Sequence, residues 1–137
     1  MPDCTIVGPG GSFRGVQGLE YGAGISAETA GAQAICMHRL TLPPGARARA
    51  HLHEDHESSI YVISGRADVW WGPRLERHAV LGPGDFLHIP AGVPHVPANT
   101  GEVDVEAVLA RTDPNEQESV VTLPELDGLA HLPPLPA

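Results

Sequence analysis

Proline and glycine fall in clusters along this chain: Pro43-Pro44-Gly45, Gly72-Pro73, Gly82-Pro83-Gly84 and Pro90-Ala91-Gly92. Proline fixes φ and removes a backbone donor, while glycine takes conformations that other residues avoid, so each cluster ends whatever regular element precedes it. Between them lie short runs rich in β-formers, such as Ser-Ile-Tyr-Val-Ile-Ser at 59–64 and Ala-Asp-Val-Trp-Trp at 67–71. Extended segments are predicted at 32–42, 47–53, 59–64, 67–71, 75–81, 86–89, 95–99 and 103–111, with a last short strand at 119–121. Strands this short, with turns this regular, fold as a sandwich or barrel. The expected class is all-β.

The chain has 137 residues, of which 42% are hydrophobic. That length fits one domain with a core of its own. Residues 1–31 are glycine-rich and weakly patterned, and read as an arm packed on the body or on a partner subunit. Residues 32–111 form the barrel core, and 112–137 hold a turn, the possible last strand and a proline-rich tail. Pro124, Pro133, Pro134 and Pro136 keep that tail out of a sheet interior.

The formal net charge is −9, with eight arginines and no lysine. An acidic chain without a basic cluster is poorly suited to nucleic acid or an anionic membrane surface. Without lysine there is no Schiff-base chemistry and no lysine general base. Cys4 and Cys36 have no ligand spacing and read as free thiols. No stretch has the apolar length of a membrane span, and no charged-then-apolar leader opens the chain. A cytoplasmic protein whose partners are small molecules or a second copy of itself is the expectation.

Histidines carry the chemistry. His51 and His53 stand two apart in a predicted strand, so their side chains share a face. Glu57 follows closely, and His95 stands on another strand behind Pro90 and Gly92. Imidazoles on facing strands with a nearby carboxylate can chelate a metal. A solitary histidine is more often solvated or a hydrogen-bonded core residue, and His38, His78, His88 and His131 are read that way. On a regular strand, Arg47 and Arg49 share the face of His51 and His53. A guanidinium there can grip a substrate carboxylate in bidentate fashion, or it can sit in solvent outside the barrel mouth.

These segments resemble the paired motifs of the cupin superfamily, small single-domain members in particular. The second motif is met at Gly84, Pro90, Gly92, His95 and Asn99. The first is met at Gly45, His51, His53 and Gly65, with a departure at its glutamate. Counting forward from His53 reaches Glu57, whereas counting six residues back from Gly65 leaves Ser58 in the glutamate's place. Glu57 could turn inward through a bulge, His56 could take its place, or the site could have three protein ligands.

The resemblance covers about residues 32–111 and implies a double-stranded β-helix, or jelly-roll barrel, assembled as a homodimer. It implies one divalent transition metal per chain (Mn, Fe, Ni, Co, Cu or Zn) held by His51, His53, Glu57 and His95. The function that follows is a metal-dependent enzyme acting on a small oxygenated organic molecule by dioxygenase-, isomerase- or lyase-type chemistry. The alternatives are a non-catalytic module that binds a small molecule or metal, and a metal-free pocket of hydrogen-bonding histidines.

Overall fold

The computed structural model describes residues 2–115, 117 and 119–136; positions 1, 116, 118 and 137 of the arm and tail lie outside the described residues. Two antiparallel sheets face each other. One contains β1 (Ser12–Arg14), β2 (Glu20–Ile25), β3 (Cys36–Leu42), β5 (Ser58–Ser64), β8 (Phe86–Ile89) and β10 (Val105–Arg111), in the order β1-β2-β3-β10-β5-β8. The other contains β4 (His51–His53), β6 (Ala67–Trp71), β7 (Arg77–Leu81), β9 (His95–Ala98) and β11 (Val120–Thr122), in the order β11-β4-β9-β6-β7. This is a jelly-roll barrel, with sequence neighbours split between sheets.

Alternation along the strands builds the core. In β10, Val105, Ala107, Leu109 and Arg111 are buried while their neighbours are half-exposed. The first three pack with Leu40, Leu42 and Val62 between the sheets. Within the glycine-rich N-terminal region, β2 pairs with β3 of the chain's own barrel, Tyr21 opposite Leu40. Its helix α1 (Ala27–Ala30) is capped by Ser26 and ends at Gly31.

The outer faces of the two sheets differ. That of the five-stranded sheet is covered by the tail, whose Leu126 and Leu132 pack on Ala50, Leu75 and Val96. The Leu123 amide bonds to the Ala50 carbonyl at 2.7 Å. That of the six-stranded sheet leaves Met37, Tyr61, Ile63 and Phe86 exposed, the rings of Tyr61 and Phe86 being 4.7 Å apart.

One turn joins the two motif segments. Gly92 has φ +79°, a region costly for any residue with a Cβ. Its amide donates to the carbonyl of His53 at 2.7 Å. The turn that precedes β9 is thereby fastened to the end of β4.

Candidate metal centre

β4 and β9 are adjacent, and their paired residues are His51 and His95. His53, two residues beyond His51, points to the same interior face. One potential ligand nitrogen from each ring lies within 4.8 Å of the others, and all three residues are 2% exposed.

Backbone carbonyls set two of the rings. His51 donates its Nδ1–H to the carbonyl of Arg49 at 2.7 Å, and His95 donates its Nδ1–H to that of Val93 at 2.9 Å. A carbonyl only accepts, so both neutral rings carry their proton on Nδ1 and keep the Nε2 lone pair free. Metal-binding histidines are oriented by such outer hydrogen bonds. His53 has no hydrogen-bond partner at either ring nitrogen, though both are buried. An orphaned imidazole costs free energy, and a cation between the three rings would take up the lone pair on one of its two nitrogens.

The rings are also held neutral, as ligands must be. Burial lowers all three pKa values: His53 to about 2, His95 to about 4, and His51 well below its ordinary value. The Arg111 guanidinium pushes each further in the same direction. The donor set fits a divalent transition metal: three imidazoles on two adjacent strands.

The other expected site residues lie elsewhere. Glu57 is exposed and accepts a hydrogen bond from His88 Nε2 at 2.8 Å, outside the imidazole cluster. The reason is strand alternation: Ser58 opens β5 facing inward and is buried, so the residue before it faces outward. Nor does His56 turn in; its Nδ1 bonds to Ser119 Oγ at 2.7 Å. The position separated from Gly65 by six residues belongs to Ser58, whose hydroxyl accepts from Arg111 Nε at 2.9 Å.

Arg47 and Arg49 do not reach the imidazoles because the expected strand over 47–53 is regular only from His51. Amides in the irregular stretch bond in three directions: Ala48 to Pro97, Arg49 to Gln17, and Ala50 to the Asp127 carboxylate. Arg47 is buried against the tail, paired with Asp127 and bonded to the Pro133 carbonyl at 2.8 Å. Arg49 is exposed.

Two residues near the centre were not singled out from the sequence. Arg111 ends the apolar inward face of β10, and a charge closing such a stripe was the available signal. Trp71 is the cross-strand partner of His95.

Residues 38–110 match the sequence pattern of the cupin domain. The chain belongs to the cupin family. Among curated proteins, this cupin is 39% identical over 54 residues to quercetin 2,3-dioxygenase of Bacillus subtilis (strain 168), a segment covering 39% of the chain and 15% of that enzyme. Among solved structures, it resembles the oxalate decarboxylase of Lactobacillus farciminis in its formate complex, with a TM-score of 0.67 at 20% identity. That match covers 82% of the chain and 33% of the decarboxylase. A double-stranded β-helix protein of Klebsiella pneumoniae subsp. pneumoniae MGH 78578 gives 0.58 at 21% identity, covering 66% of the chain and 76% of that protein. At these identities the structural likeness establishes the cupin barrel and nothing finer.

Proposed function

We propose that this cupin is a metal-dependent enzyme acting on a small oxygenated organic molecule, with one divalent transition metal held by His51, His53 and His95. The observation that carries the reading is the buried cluster itself: three neutral imidazoles with potential ligand nitrogens within 4.8 Å of one another, one ring having no hydrogen-bond partner among the described residues. The core histidine His38 also has a buried nitrogen, Nε2, without a hydrogen bond, but it stands apart from this cluster.

A metal with three protein ligands keeps positions open, where it polarises a carbonyl or stabilises an enolate. The chain's own residues orient and insulate. The carbonyls of Arg49 and Val93 fix two rings, and the Gly92–His53 hydrogen bond holds the two ligand strands in register. Arg111 adds positive charge beside the cluster. The reaction is of dioxygenase, isomerase or lyase type, and the segment shared with a quercetin 2,3-dioxygenase supports the first of these.

The test is metal analysis of protein purified without a histidine tag. We expect about one metal per chain, and a loss of affinity of roughly 100-fold or more in His51→Ala and in His95→Ala. Less than about a tenth of a metal per chain, with no uptake on titration, overturns the reading. Loaded protein is then assayed for oxygen uptake and ultraviolet change with diketones, hydroxy acids and catechols. Turnover of one class is the expected result, and silence across the panel returns the protein to a binding role.

A further inference from the structure

The route from solvent to the imidazoles has a chemistry of its own. In β6 the buried Val69 fixes the inward parity, which Trp71 shares, and Trp71 stands directly across from His95. In β8, Leu87 and Ile89 take the inward parity, and the turn contributes Pro90 and Val93. Together they enclose a pocket of about 250 Å³ that ends on His95. His88 also borders it, but by strand alternation its imidazole leaves by the outer face, where it meets Glu57.

A second, smaller space of about 20 Å³ shares the walls Val69, Leu87, Ile89 and His95 with this pocket and is lined also by His51 and Arg111. The smaller space is the size of one water or one small polar group. The larger one is smaller than pockets for drug-sized ligands and fits about one ring. Apart from His95, the side chains facing the larger pocket carry no charge, and burying a charged group among them would be costly.

We propose that the substrate held in the barrel mouth has an uncharged, apolar body about the size of one six-membered ring and an anionic oxygen head that enters the imidazole end, with Trp71 packing on the body. The demand for an anionic head rests on the metal reading given above. Three neutral imidazoles leave a divalent charge unbalanced by its protein ligands, and Ser58 stands where a carboxylate would have balanced it. Arg111, lining the smaller space, adds charge of the same sign. The demand for an apolar body rests on the mouth alone.

The experiment titrates the full-length, metal-loaded protein with 4-nitrocatechol, which has a ring and acidic oxygens and changes its absorbance on deprotonation. Oxalate, which has the oxygens without the ring, is titrated alongside. We expect 4-nitrocatechol to bind at least about tenfold more tightly. Trp71→Ala is expected to weaken it by about tenfold and to change oxalate by less than about twofold, while Trp71→Phe, which keeps a ring, stays within about threefold. Leu87→Trp fills the mouth and is expected to abolish 4-nitrocatechol binding with metal content unchanged.

Oxalate binding as tightly as 4-nitrocatechol, or 4-nitrocatechol binding that ignores both Trp71→Ala and Leu87→Trp, overturns the proposal. Metal content is measured on every sample first. If the wild type takes up no metal, the metal reading fails by itself, and the mouth is judged by tryptophan quenching. Quenching by 4-nitrocatechol in the wild type that Leu87→Trp removes supports the mouth, and no quenching overturns it.

Discussion

Arg47 and Arg111 are both buried in this barrel, among different groups. Arg47 is enclosed by the tail: Asp127 pairs with its guanidinium, and the carbonyls of Ala48 and Pro133 accept from it. Its charge is matched locally, and its work is to pin residues 123–133 onto the five-stranded sheet. Arg111 bonds to Ser58 and stands close enough to three imidazoles to depress each of them. One guanidinium closes a structure; the other sets the electrostatics of a site. Burial of a charge is therefore uninformative until the groups facing it are named.

The largest expected effect breaks the structural side of this pair. Asp127→Ala leaves Arg47 as an uncompensated buried charge and is expected to cost about 3–5 kcal/mol. A lower urea midpoint would report it, with metal stoichiometry of the folded protein unchanged. A loss within about 0.5 kcal/mol, typical of an exposed site, would mean that the tail is not held this way.

Acidification tests the other side. His95 and His53 have folded pKa values of about 4 and about 2 against an ordinary 6.5. Between those limits the unfolded chain binds more protons than the native one. The metal-free protein should therefore hold full stability above about pH 6.5 and lose it progressively as pH falls toward 4. Thermal melts across that range check this, and a flat profile would contradict neutral buried rings.

Arg111→Met sharpens the comparison further. Removing a cation that lowers the imidazole pKa values raises them toward the unfolded value. The metal-free variant should therefore lose less stability than the wild type as pH falls from about 6.5 to 4, while Arg47→Met, once folded, should leave the size of that loss unchanged. The smallest effect is expected at Glu57→Gln, because its partner His88 is likewise on the surface. Stability should change by about 0.5 kcal/mol or less, and metal content not at all.

The sequence disclosed the barrel and three of the centre's histidines because both depend on local rules. Turn clusters delimit strands, and an i, i+2 pair on a strand shares a face. It disclosed less where a tertiary contact overrides the local rule. Arg47 and Arg49 appeared aligned with His51 only while the strand was assumed regular, and bonds to Gln17, Pro97 and Asp127 break that regularity. Glu57 is expected among the ligands because it closely follows His53, but β5 starts at Ser58, and the residue before that buried serine faces outward. β1 and β2 escaped notice because their glycines mask the strand pattern, though pairing with β3 supplies what propensity lacks.

The tail's position has a consequence for the timing of folding. Residues 123–132 are synthesised after every strand of the barrel, yet they form one wall of the packing around Ala50, Leu75 and Val96. Until they leave the ribosome, the five-stranded sheet presents that apolar face to the cell. A released chain truncated after Thr122 would be a natural client for chaperones, even with its three histidines already gathered.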